Sequence, residues 1–135
     1  MDISTINWWA VAVAALIAFL LGGLWYSPLL FYKAWTTENH FTEEDLKRGN
    51  PAKIYGFSFV WAFVMAANLA MYLNAPGTDA AWGATAGFLA GFGWAATMIF
   101  VVGLFERKST RYLLINGGYA TVALTLMGWI IGVWR

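Results

Sequence analysis

The sequence predicts an all-α fold: an integral membrane four-helix bundle made of two antiparallel transmembrane hairpins in a single domain. Three observations predict it. Of 135 residues, 61% are hydrophobic and only 11% charged, against about 25% charged in an ordinary soluble domain, so the chain lacks the polar coat of a water-soluble monomer. The charges are bunched, leaving residues 3–32, 54–78, 80–105 and 112–134 without any, gaps of 30, 25, 26 and 23 residues. Each gap exceeds the roughly 20 apolar residues that carry a helix across a hydrocarbon core of about 30 Å. Runs such as Ala10 to Leu21 lack the alternation that a transmembrane strand requires.

The first span is expected over about residues 6–27. Asp2 precedes it, its apolar run is longer than a signal-peptide core, and bulky Leu24-Trp25-Tyr26 stands where a cleavage site would lie, so it reads as a retained span. Pro28 breaks or kinks its end, and Leu29 to Trp35 reads as a short amphipathic piece along the inner surface. In the inner loop, about 33–52, Thr42-Glu43-Glu44-Asp45 has the form of a helix start: a hydroxyl cap, then acids at the positive helix end. Gly49 stops that helix, and Asn50-Pro51 caps and starts the second span, about 53–73. Pro76-Gly77 is a turn signal and Asp79 a cap for the third span, about 80–104. The connection Glu106 to Arg111 is short, which makes the third span and the fourth, about 112–133, antiparallel neighbours.

Orientation follows from the bases. Lys33, Lys47, Arg48 and Lys53 lie in one connection and Arg107, Lys108 and Arg111 in another, while the opposite side holds only Arg135. Seven against one places the basic loops inside and both termini on the non-cytoplasmic face. Aromatic residues mark the same boundaries: Trp8, Trp9, Tyr72, Trp82 and Trp134 at the outer ends, Tyr26, Tyr32, Trp35, Tyr55 and Tyr112 at the inner ends.

Lipid tails are as apolar as leucine, so helix association in a bilayer rests on close packing of small residues. Such residues recur every four positions: Ala10, Ala14, Ala18 and Gly22; Ser58, Ala62, Ala66 and Ala70; Gly83, Gly87, Gly91 and Ala95; Gly128 and Gly132. The triad Gly83, Gly87 and Gly91 is the most specific packing seam. Four stripes exceed what one small bundle has to bury, which points to a homo-oligomer or to a partner in a membrane complex.

Several functions are excluded or disfavoured. A net charge of +1 without a basic cluster gives no case for nucleic acid. There is no cysteine, and the one histidine, His40, cannot make a metal site alone. No Asp, Glu, Lys, Arg or His lies inside the charge-free spans, which speaks against proton- or ion-coupled transport. No nucleophile–base pair, phosphate loop or cofactor motif is present, so no catalytic residue, metal or cofactor is expected. Two sets of polar residues remain. Asn68, near the middle of the second span, with Thr97 and Thr125 at comparable depth, reads as an interhelical polar clamp. At the inner end Trp25, Tyr26, Ser27 and Pro28 meet Asn116 and Tyr119, bordered by Lys53, Tyr55 and Glu106. That set is either a pocket for a small molecule or lipid headgroup or a satisfied network that fixes the break at Pro28.

The same residues carry a resemblance. Gly22-Gly23-Leu24-Trp25-Tyr26-Ser27-Pro28 with Phe31 and Trp35, and Ile115-Asn116-Gly117-Gly118-Tyr119 with Leu126-Met127-Gly128, resemble the first-span and last-span signatures of a bacterial family of small membrane proteins catalogued as domain of unknown function 1761. Thr42 to Leu46 ahead of Gly49-Asn50-Pro51 resembles it too. The resemblance implies a four-helix protein of the bacterial inner membrane and no assigned activity. The expected function is therefore that of a non-catalytic, multi-pass membrane protein acting through helix packing and assembly, with the lipid bilayer and a protein partner around it. The alternative is a channel or permease for a small neutral solute, lined by Asn68, Thr97, Thr125 and the inner cluster.

Overall fold

A computed structural model describes residues 2–135, and among these 78% are helical and none is in a strand. Seven α-helices run α1 (Trp8–Trp25), α2 (Tyr32–Glu38), α3 (Glu43–Lys47), α4 (Pro51–Tyr72), α5 (Ala80–Ala90), α6 (Thr97–Phe105) and α7 (Thr110–Val133). A π-helical segment, Gly91–Ala96, joins α5 to α6 into one continuous 26-residue helix, Ala80–Phe105. With α1, α4 and α7 this makes four helices long and apolar enough to cross a membrane.

Local chemistry sets the helix ends. The Asn7 carboxamide oxygen accepts from the Trp9 and Ala10 amides at the start of α1. Asn50 caps α4 with Pro51 in its first turn, where proline's missing N–H costs nothing. Asp79 accepts from the Trp82 amide, and Ser109 from the Tyr112 amide. After α1 the chain turns through Ser27 to Phe31, with the Phe31 amide donating back to the Trp25 carbonyl at 3.0 Å. The surface helix consequently begins at Tyr32 and ends at Glu38, three residues later than the Leu29–Trp35 expectation, because residues 27–31 are spent in that turn.

Thr42 and Asp45 form a reciprocal capping box on α3: the Asp45 carboxylate accepts from the Thr42 amide at 2.9 Å, and the Thr42 hydroxyl accepts from the Asp45 amide at 3.2 Å. The Thr42 backbone and side-chain bonds hold the Asp45 carboxyl below its ordinary range. A depressed carboxyl stabilises the fold above its unfolded pKa of about 3.9 and loses that contribution as pH falls through the folded value. Amide hydrogen exchange across residues 42–48 is expected to quicken as pH is lowered through that window, after correction for intrinsic rates. In Asp45→Asn it should be fast throughout and lose that step.

Two non-glycine residues adopt positive φ, His40 at 57° and Arg107 at 59°. Both sit just past a helix end and close it with paired backbone bonds: Phe41 to Thr36 and His40 to Thr37 after α2, Lys108 to Gly103 and Arg107 to Leu104 after α6. This is the Schellman arrangement, in which the left-handed residue is usually glycine. A side chain there carries a steric cost of roughly 1–2 kcal/mol. Arg107→Gly, which removes that cost but loosens the unfolded chain, is expected to stabilise the protein by about 0.5–1 kcal/mol, read as a higher unfolding midpoint in detergent micelles.

α7 is the hub. It packs against α1 on one side and α5 with the π-segment on the other, and α1 packs against α4. The core is built largely of alanine, with Val11, Ala14, Ala15, Ala18, Ala62, Ala66, Ala70, Leu73, Ala123 and Met127 among its buried members. All four small-residue stripes are spent inside one chain. Ala10, Ala14 and Ala18 are buried, as are Ala62, Ala66 and Ala70, although Ser58 is exposed. A Cβ on Gly83 or Gly87 would overlap the backbone carbonyl of Gly128 or Leu124, and one on Gly132 would overlap that of Asp79. The surplus of stripes that pointed to an oligomer is therefore absent.

The third stripe also departs from four-residue spacing. After Gly91 the next residue buried on this helix is Ala96, and Ala95 is only partly covered. The π-segment supplies the cause: its wider turn inserts one residue, so the face that meets α7 steps from position 91 to 96. Gly117 then receives Phe100 and Ala96, and Gly103 receives Leu113.

Candidate functional site

Both connections that carry bases lie at one end of the bundle. The Ser109 hydroxyl donates to the Glu38 carboxylate, and the Arg111 guanidinium stands 4.0 Å from it. At the other end the Asn7 carboxamide donates to the Trp134 carbonyl at 3.0 Å, Asn74 donates to Asp2 and Thr5, and Arg135 donates to the Ala75 carbonyl.

The expected inner cluster forms just inside the basic end, at the seam of α1 and α7. The Trp25 indole N–H donates to the Ile115 carbonyl at 2.9 Å. The Tyr26 hydroxyl donates to the Asn116 Oδ1 at 2.6 Å, and the Asn116 amide donates in turn to the Tyr112 carbonyl at 3.1 Å. The Tyr119 hydroxyl donates to the Ala18 carbonyl at 3.0 Å. The rings pack on one another, tilted or edge to face: Trp25 on Phe31 with centroids 4.8 Å apart, Tyr26 on Trp35 at 5.5 Å, Tyr26 on Tyr119 at 5.7 Å. Trp35 continues the chain of rings edge-on to Phe41 at 5.3 Å, which links the cluster to the Schellman end of α2.

Trp25, Tyr26, Asn116 and Tyr119 are thus brought together, and Ser27 and Pro28 are not. The Ser27 hydroxyl donates to Leu24 within its own turn, and Pro28 is exposed. Lys53, Tyr55 and Glu106 are also exposed and take no part in these bonds. Two residues that make the cluster possible carry no chemistry of their own. A Cβ on Gly22 would come within 3.0 Å of the Tyr119 hydroxyl, and one on Gly118 within 3.1 Å of the Trp25 ring. Each glycine is a slot for the other helix's aromatic; Gly22 was visible in the sequence as the end of a small-residue stripe, whereas Gly118 was marked only by its place beside Tyr119. No buried polar side-chain atom lacks a partner among the described residues. The cluster has aromatic walls and hydrogen bonds that close on the protein itself, and it holds no nucleophile beside a base.

The expected clamp of Asn68, Thr97 and Thr125 is not made. The Asn68 amide donates to Val64, the Thr97 hydroxyl to Gly93 and the Thr125 hydroxyl to Thr121, each four residues back on its own helix. Depth is the reason. Asn68 is four residues from the end of α4, not at its middle, about 6 Å from that end at 1.5 Å per residue. Thr97 lies past the centre of Ala80–Phe105 toward the basic end.

Asn68 instead faces a groove of about 810 Å³ lined by Met65, Leu69 and Tyr72 of α4, by Ala86, Ala90, Trp94 and Met98 of the third span, and by Leu124 of α7 beneath. Among the described residues α4 and the third span do not pack along each other's length, so the bundle is open on this side. Trp94 forms a lip and is 76% exposed. No acidic or basic side chain lines the groove, and no group of three or more metal-ligating side chains occurs among the described residues.

Four helices long and apolar enough to cross a membrane, with charges confined to the two ends of the bundle, suggest the class of membrane proteins. The chain is a member of the family described as protein of unknown function (DUF1761), whose model matches residues 9–132. No curated protein and no solved structure matches it.

Proposed function

We propose that this chain is a multi-pass protein of the bacterial inner membrane, inserted as two antiparallel hairpins, α1 with α4 and the third span with α7. It works by assembly and not by catalysis, as a homo-oligomer or as the small subunit of a membrane complex. The basic end faces the cytoplasm and both termini lie outside, in keeping with seven bases against one. The bilayer is its solvent, and no cofactor, metal or nucleic acid is needed.

The observation that carries this reading is the open side of the bundle. Glycine and alanine stripes are already consumed within the chain, yet α4 and the third span leave a long apolar groove between them. Helices in lipid gain from close packing, and here that packing is unfinished. Crosslinking in native membranes, with native mass spectrometry from mild detergent, tests it. Oligomers or a stoichiometric membrane partner are the expected result, and a lone monomer in both measurements overturns the reading.

A second reading, a permease for a small neutral solute, has one observation in its favour: the exposed Asn68 carboxamide in an otherwise apolar groove. Solute flux into liposomes that falls in Asn68→Leu and Asn116→Leu would select it over the first.

A further inference from the structure

We infer that the groove is the seat of a second copy's α4, in a two-fold dimer whose axis runs along the membrane normal and passes between the two Asn68 side chains. This deepens the assembly reading and rests on it.

The groove lies beside α4 itself, so α4 is at once its wall and the adjoining ridge. A two-fold rotation that lays one α4 into the partner's groove lays the other α4 into the first groove, which makes the contact isologous and closed. The floor of small side chains, Ala86 and Ala90, lets a helix approach closely. α4 also has surface to share: none of residues 51–61 is buried, although Tyr55 and Phe59 meet Phe19 of α1 edge-on, and Met65, Asn68 and Tyr72 on the groove side are exposed.

The polar argument selects the occupant. Asn68 uses one amide hydrogen on Val64, and among the described residues its second hydrogen and its Oδ1 have no partner. An uncompensated carboxamide in hydrocarbon is costly. A lipid chain offers it nothing. A two-fold axis along the membrane normal places the partner's Asn68 at the same depth, and a carboxamide is both donor and acceptor, so the pair satisfies itself. The same device fixes register and oligomer state where a single asparagine sits in a coiled-coil seam. No charged side chain lines the groove to repel its own copy.

The absence of cysteine makes the test direct. Met65 lines the groove one turn from Asn68 and leaves Asn68 intact; Leu20 is exposed on α1, away from the groove. Full-length Met65→Cys and Leu20→Cys are reconstituted in phosphatidylethanolamine–phosphatidylglycerol vesicles and oxidised with copper phenanthroline. Disulfide dimers are expected to form about tenfold or more faster from Met65→Cys, since a docked interface raises effective concentration. Adding Ala90→Phe, which fills the groove, should return the rate to that of Leu20→Cys. Adding Asn68→Leu should slow it about threefold, and Asn68→Gln should slow it less. Circular dichroism and unfolding midpoints of each variant separate interface loss from misfolding. Equal rates at the two positions, or a rate indifferent to Ala90→Phe in a folded variant, overturn this dimer. If the protein still crosslinks elsewhere or co-purifies with a partner, the assembly reading survives without it. If it is monomeric throughout, both fall.

Discussion

Gly87→Leu is expected to separate the third span from α7 and to cost more than about 3 kcal/mol of stability. At this position a Cβ would overlap the Leu124 carbonyl oxygen and stand 2.9 Å from the Leu124 carbonyl carbon and 3.0 Å from the Thr125 Cα. All three are backbone atoms of a continuous helix, so no rotamer change relieves them. The helices must part, and the parting also undoes Gly83 against Gly128 and Gly91 against Ala120 and Thr121, which share the seam. Little compensates, because lipid replaces the lost contacts without any hydrophobic gain for the closed form. Gly23→Leu is the control: a Cβ there meets nothing within 4 Å, and leucine favours helix by about 1 kcal/mol over glycine. Reversible unfolding in mixed dodecylmaltoside–SDS micelles reads both. A Gly87→Leu midpoint equal to wild type would mean that the seam is not closed in the folded protein.

What the residues disclosed without coordinates was chiefly local. Asn50-Pro51, Asp79 and the Thr42–Asp45 box act within one helical turn, so their spacing alone announces them, and the charge-free runs fix how many helices are long enough to span. The Trp25–Tyr26–Asn116–Tyr119 cluster was legible for a different reason. Membrane helices share one depth axis, so residues equally far from the basic loops are candidates to meet. The same axis misled for Asn68, Thr97 and Thr125. Their depths differ by more than the counting resolved, and a hydroxyl or carboxamide on a helix has a carbonyl four residues back within reach whatever its neighbours do. Illegible altogether was the step from Ala95 to Ala96, because a π-turn leaves no mark in a glycine ladder. So was the use of the stripes. Spacing shows that a face is smooth, but whether that face meets its own chain or another depends on how all four helices are arranged.

The second large effect is expected at Trp25. Truncation to alanine removes the indole that bridges three elements: it donates to Ile115 on α7, rests on Phe31 in the turn after α1, and fills the slot left by Gly118. Loss of a large aromatic from a packed site costs about 3–5 kcal/mol when fully buried, and Trp25 is half-buried, so Trp25→Ala should fall near the lower end. Trp25→Phe keeps most of the ring and forfeits one hydrogen bond, for a loss of about 1 kcal/mol. The two variants should also differ in where they loosen the protein. Without the indole, Phe31 has lost its aromatic neighbour, and α2 is then held to the bundle by Tyr26 against Trp35 and by Glu38 against Ser109 and Arg111. Hydrogen exchange in Trp25→Ala should therefore rise across residues 27–41 well before α7 opens, whereas Trp25→Phe should leave that segment protected. Uniform loss of protection along α1 and α7, with no early release of residues 27–41, would show that the cluster merely glues two spans. Early release would show that it is the anchor by which the segment after α1 is held against the bundle.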